Sequence, residues 1–424
     1  MRGGKPPRWS PSHTESQTPS FTLLTNPKYL SHPSTSYPSR LKSIPNITED
    51  KPAPSSNPKT GNLVSLLTLS TQISRRYEGR ETLNLAGYLN LASRGRSLKV
   101  GFGVGVKEAK VTVLANDAVD PLLMVDERFS GIVSHAGTAG CLGEHGISLL
   151  VQVKAEDKVH TVLFDTGGLK ATVINNMREL GVDPSLIECV VISHGHYDHF
   201  GALVKVMEEL GRGSNVVLHP DVFSAKYALR GTPVGAGLGK EEVERLVEER
   251  RAVRLPSLSR EQVELAAQLN GLNVVEVAGP VELAPGVWAS GEIPLRHPDE
   301  LSLGLFAERG GKIVPDDFRD EKSLYIKVEG KGVVVLTGCC HRGIANTLED
   351  ARRFFESRVY AVIGGLHMGR ASHNGIDKAV EKIREANPEI LSPLHCSGVR
   401  FTARLLHELP EKTVVSAAGT TFKF

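Results

Sequence analysis

The chain has 424 residues, 40% hydrophobic and 23% charged, enough to fill one large core or two ordinary ones. A formal net charge of +2 gives no general pull toward nucleic acid or an anionic membrane. No run of about 18 apolar residues offers a spanning helix, and five cysteines, odd in number and with Cys339 and Cys340 adjacent, argue against a disulfide framework and for a reducing compartment.

Residues 1–80 read as a disordered Pro/Ser-rich leader. Its signal is concentrated in the first 60 residues, which hold 11 of the 24 prolines and 11 serines. Such a stretch buries too little apolar surface to offset its chain entropy. Before Glu49 its only acid is Glu15, a composition that fits an organelle transit peptide as well as a dispensable tail or a mis-set start. The expected location is cytoplasmic, with organelle import as the alternative that the leader raises.

Regular alternation begins near Lys107. Strands are predicted at Lys110–Leu114, Ile147–Val153 and Thr161–Phe164, the last ending in Asp165-Thr166-Gly167-Gly168. Val173, Ile174, Met177 and Leu180 stand at helical spacing, and a strand follows at Ile187–Ile192. Next comes Ser193-His194-Gly195-His196-Tyr197-Asp198-His199, ahead of an amphipathic run from Ala202 to Leu210. Three imidazoles and a carboxylate are thus crowded into one strand-to-helix turn, a donor set suited to Zn, Fe or Mn, with Mg also open.

A strand at Val216–Leu218 leads into a charged middle, with helices at Glu241–Arg251 and Glu261–Leu269. Ser259 and Gln262 are spaced as a capping box for the second. Gly235-Ala236-Gly237-Leu238-Gly239-Lys240 is no phosphate loop, because Val234 and Glu241 stand where that motif needs Gly and Ser or Thr. Residues 220–285 are expected to form an inserted, glycine-hinged cap. After Gly286 come strands at Val287–Ala289, Ser323–Val328 and Val333–Leu336, a helix over Asn346–Glu356, and a strand at Val359–Ile363. A helix around Lys378–Glu385 and a strand at Ile390–Leu394 complete the pattern. Strands alternating with helices predict an α/β layered fold over 107–424.

Asp165, the His194–His199 cluster, Cys339–His341, His367 and His395 each follow an apolar strand-like run. This arrangement resembles the metallo-β-lactamase superfamily, which implies a four-layer αββα sandwich with one or two divalent metal ions, zinc first among them. The resemblance implies His194 and His196 as ligands of a first metal. Asp198, His199 and His395 are implied for a second, with Asp165 as a brace behind them. Cys339 stands where the superfamily usually has a bridging Asp. The usual third histidine of the first site has no direct match, and His341 is the substitute, ahead of Glu292 and His297. Asp198 and His341 are the catalytic candidates, and His145, Arg342 and His367 the substrate-binding ones. The turn Gly364-Gly365 either admits a ligand close to the backbone or only turns the chain. Cys340 and Cys396 read as small buried residues. His135, His160, His219, His373 and His407 read as structural.

Glu144-His145-Gly146, Ser290-Gly291-Glu292-Ile293-Pro294, Thr337-Gly338-Cys339-Cys340-His341-Arg342-Gly343, Gly364-Gly365-Leu366-His367 and His395-Cys396-Ser397-Gly398 occur together. The set is similar to the subgroup named for 7,8-dihydropterin-6-yl-methyl-4-(β-D-ribofuranosyl)aminobenzene 5′-phosphate synthase of methanopterin biosynthesis. That resemblance implies a pterin diphosphate substrate and attack by an arylamine with loss of pyrophosphate. Two other readings stay open: hydrolysis of a phosphoester, thioester or lactone, and metal binding without turnover. Nucleic acid and membrane are not expected as partners.

Overall fold

The computed structural model describes residues 105–155, 157–229 and 240–424. The expected leader and the glycine run at 235–239 lie outside the described residues. With strands numbered in chain order, eight form the first sheet in the order β2 (Val133–His135), β18 (Thr420–Lys423), β1 (Glu108–Ala115), β3 (Ser148–Ala155), β4 (Lys158–Phe164), β5 (Cys189–Val191), β6 (Asn215–Leu218) and β9 (Asn273–Glu276). Six form the second: β10 (Val281–Ala284), β11 (Val287–Ala289), β14 (Ser323–Val328), β15 (Gly332–Thr337), β16 (Val359–Gly365) and β17 (Ile390–Leu394).

Side-chain alternation makes these sheets the two inner layers. In β3, Leu149, Val151 and Val153 enter the core between the sheets, while Leu150 faces the helices outside. In β15, Val334 and Leu336 face inward, and Val333 and Val335 face the opposite helical layer. The helix α1 (Thr172–Glu179), the single turn α2 (Tyr197–Phe200) and α3 (Leu203–Glu209) follow strands of the first sheet; α4 (Lys240–Glu248) and α5 (Arg260–Asn270) come later in the chain. Met177, Leu203, Met207, Val263 and Ala266 cover the first sheet's outer face. The second is covered from α6 (Ile344–Phe354), α7 (His373–Ala386) and α8 (Val399–Glu408) by Leu348, Ile383, Phe401 and Leu405. The layers therefore run αββα. Ser259 caps α5, its hydroxyl accepting from the Gln262 amide at 3.2 Å.

The segment expected as a cap divides. α5 and β9 join the first helical layer and first sheet, and β10 edges the second sheet. A separate four-stranded sheet combines β7 (Lys226–Leu229) and β8 (Ala252–Arg254) with β12 (Leu305–Arg309) and β13 (Lys312–Pro315), strands more than 50 residues downstream of β8. Antiparallel pairing of Phe306 with Tyr227 joins the two segments, a non-local contact that no local pattern in either segment announces.

β4, β5, β6 and β9 are mutually parallel, as are β15, β16 and β17. Parallel strands end on the same side, so their outgoing loops converge on one edge of the sandwich, where ligands bind in open α/β sheets.

Candidate metal centre

Each loop at that edge contributes one part of a polar cluster. Asp165 leaves β4, His194 leaves β5, Cys339 leaves β15, His367 leaves β16 and His395 leaves β17. Asp165, Cys340, His367 and His395 have φ of 58°, 65°, 48° and 47°. Four non-glycine residues in left-handed backbone at one edge is strain of the kind that functional sites hold.

Asp165 is fully buried and accepts three hydrogen bonds: from the Ser193 amide (2.6 Å), the Ser193 hydroxyl (2.7 Å) and His199 Nδ1 (2.6 Å). It thereby fixes the histidine loop and leaves His199 Nε2 facing the cluster. His194 Nδ1 is held by Ser193 Oγ at 2.9 Å, which turns its Nε2 to within 3.1 Å of His196 Nδ1. Gly338 has to be glycine, since a Cβ there would run into Ser193 Oγ. Gly364 and Gly365 pack against Thr337 and Gly338 of the neighbouring strand, so the pair serves close strand-end packing.

Two groups of donors emerge. In the first, His194, His341 and Cys339 place ligand atoms within 4.8 Å of one another, and the His196 and His341 rings meet at 4.9 Å. In the second, Asp198, His199, His395 and Cys339 satisfy the same limit. Cys339 is common to both, its Sγ 3.1 Å from His199 Nε2. His297 instead meets Glu349 at 3.0 Å, and Glu292 meets His219 at 3.3 Å, so neither alternative joins the first group.

Burial, then the neighbouring imidazoles, drives His194 and His341 well below the ordinary histidine value of 6.5; burial brings His196 down to about 3. These rings are neutral at pH 7, the state in which imidazole ligates metal. Asp198 is held well below its usual range: burial pushes it up, but the adjoining histidines outweigh that. His196 Nε2 and both ring nitrogens of His341 are buried without a hydrogen-bond partner, and His395 Nε2 has only the Asp198 carboxylate at 3.2 Å. A buried polar atom left unsatisfied is costly, and imidazole nitrogens with a cysteine sulfur around shared space fit a divalent metal ion.

Asp117 has no motif around it and escapes a reading of the sequence. Its Oδ1 accepts from His395 Nδ1 at 2.7 Å and its Oδ2 from His145 Nδ1 at 2.8 Å. The far nitrogen of His145 lies 3.5 Å from Asp198 Oδ2, so this half-exposed ring stands at the open rim of the second group. His367 contacts the His341 ring at 4.1 Å. Its donor atoms group with Cys339 and Cys396, so the structure draws Cys396 into the cluster, where the sequence suggests only a small buried residue. Cys340 points away, to Thr347 Oγ1 at 3.3 Å.

Residues 316–322, between β13 and β14, are the other component that the sequence hides. Phe318 stacks on His341 at 4.2 Å and 6°. Asp320 Oδ2 accepts the amide of Gly195, between the two histidines, at 2.8 Å. The Glu321 carboxylate accepts the amides of His341 (2.6 Å) and Arg342 (2.7 Å), and the Lys322 amide donates to the Ser193 carbonyl at 2.9 Å.

Residues 148–251 match the family model of the metallo-β-lactamase superfamily. A 7,8-dihydropterin-6-methyl-4-(β-D-ribofuranosyl)-aminobenzene-5′-phosphate synthase of Methanocaldococcus jannaschii is 27% identical over 286 residues, 66% of this chain and 90% of that protein. An uncharacterized protein of the same organism is 27% identical over 262 residues, 62% of this chain and 87% of its own. Among solved structures, Tm1679, described as a metal-dependent hydrolase of the β-lactamase superfamily, is 28% identical with a TM-score of 0.54, covering 74% of this chain and 98% of its own. Layer order, histidine motif and family model agree: the chain carries a domain of the metallo-β-lactamase superfamily.

Proposed function

We propose that this chain is a two-metal enzyme that joins an arylamine to a dihydropterin methyl diphosphate and releases pyrophosphate. The observation that carries the reading is the pair of donor groups sharing Cys339, in a chain similar along 90% of the length of the synthase relative. His194, His196 and His341 would hold one ion and Asp198, His199 and His395 the other, with Cys339 between them. When bound, such ions polarise phosphoryl oxygens and stabilise a departing anionic oxygen.

The protein's own groups supply position. Asp165 and Asp117 fix the Nδ1–H tautomers of His199 and His395, so that Nε2 of each faces the centre. The amine nitrogen bonds to the pterin methylene carbon while the carbon–oxygen bond to diphosphate breaks, and the amine's proton leaves with water or product. His145 and Asp198 line the open rim where the reacting groups would meet, and Arg342 and His367 flank the first donor group. The small sheet of β7, β8, β12 and β13 serves as the cap.

Pyrophosphate is expected from a dihydropterin methyl diphosphate only when an arylamine is present. Equal release without the amine would make the protein a hydrolase instead, a reading that the similarity to the hydrolase Tm1679 keeps in view.

A further inference from the structure

Charges around the first donor group can be sorted by whether they are already matched. Lys226 donates to Asp316 (2.6 Å) and Asp320 (3.2 Å). Arg309 pairs with Asp221, Asp316 and Asp317, and Arg319 with Asp317. Among the described residues around this group, two cations are left over. Lys322 is wholly buried and its Nζ has no hydrogen-bond partner. Arg342 is 7% exposed, with Nε and Nη1 both buried and unpartnered.

Neighbouring carboxylates do not answer them. Asp320 is taken by Gly195 and Lys226, and both oxygens of Glu321 by the amides of His341 and Arg342. Glu292 is half-exposed and directed to His219. Glu321, next to Lys322 in the chain, accepts the Arg342 amide at 2.7 Å, so the two cations stand on neighbouring backbone. Lys322 hangs from the Ser193 carbonyl beside His194, and Arg342 follows His341 directly. Burying two unmatched cations is costly. An oxyanion with several oxygens would satisfy both at once: a point charge from lysine and a planar fork from arginine are the standard complement of phosphate.

We infer that Lys322 and Arg342 form a clamp for the diphosphate of the substrate, set against the imidazoles of the first donor group. The inference rests on the reading of the protein as a pyrophosphate-releasing enzyme, and it adds Lys322 to the groups that touch substrate.

The test is calorimetric titration of inorganic pyrophosphate into the full-length, metal-loaded protein, with metal content measured before and after. Lys322→Gln and Arg342→Gln should each weaken binding tenfold or more and the pair a hundredfold, at unchanged metal content. Arg319→Gln, at an already matched cation, should stay within threefold. Lys322→Met guards against misfolding: removing an unmatched buried cation should raise the melting temperature while cancelling the further rise that pyrophosphate gives the parent protein. Variants binding within twofold of the parent would overturn the clamp, as would a metal-loaded parent that does not bind pyrophosphate. If the parent binds pyrophosphate through these residues but never releases it from a pterin diphosphate, the synthase reading fails and the clamp stands. If release proceeds with an unchanged KM in both variants, the clamp fails and the synthase reading stands.

Discussion

At the scale of single residues, the proposed ligand set turns on His341. In that set it stands in for the third histidine that the resemblance implies, and its stacking partner Phe318 and the carboxylate of Glu321 fix both its ring and its backbone. His341→Ala should halve the zinc retained per chain after dialysis, whereas His297→Ala, whose ring meets Glu349 instead, should retain all of it. Equal retention in both variants would remove His341 from the set. Asp117 acts one step back, by fixing the tautomer of His395. Asp117→Asn should weaken binding of the second metal by about 10- to 100-fold, read by competition with a chromophoric chelator. An unchanged affinity would leave Asp117 a mere surface partner of His145. The central histidines are legible in the sequence because their ligand spacing is local. Asp117 is not, since it reaches His395 across 278 residues and sits in a loop with no pattern of its own.

Among elements, legibility follows the same physics. β3, β4, β14, β15, β16 and β17 show as apolar runs because both of their faces are buried. The four strands of the small sheet do not, because they are only three to five residues long and their pairing is distant in sequence. Residues 316–322 carry no secondary structure and look like a polar insertion, yet they tie together the small sheet, the histidine loop and the His341–Arg342 loop. Lys226, Asp316 and Asp320 make that tie ionic: β7 of the small sheet is bound through Asp320 to Gly195 of the histidine loop. Lys226→Met strands two buried carboxylates, and by chemical denaturation it should cost about 3–5 kcal/mol. Lys226→Met with Asp316→Asn should recover part of that loss. A single variant as stable as the parent would mean that the small sheet is not anchored through this triad.

Across the whole molecule, the cluster couples stability to pH. Folded His196 has its pKa lowered from 6.5 to about 3 by burial, and His194 and His341 are lowered for the same first reason. Below pH 6.5 the unfolded chain therefore binds protons that the folded chain refuses. Metal-free protein should lose stability as the pH falls from 6.5 toward 3, by about 1.4 kcal/mol per unit for each such imidazole. Urea midpoints that stay level between pH 6.5 and 5 would contradict this assignment. A layered α/β fold was foreseeable from strand–helix alternation, and the αββα order from the resemblance that the strand-end motifs carry, whereas the division of residues 220–285 among three sheets depends on pairings that only the folded chain displays.

The central claim is that one edge of this sandwich holds two adjacent metal ions sharing Cys339. Anomalous diffraction from metal-loaded crystals, recorded on both sides of the zinc edge, addresses it directly. Two peaks are expected, one against His194, His196 and His341 and one against Asp198, His199 and His395, with the Cys339 sulfur between them. A single peak elsewhere, or none at this edge, would contradict the claim.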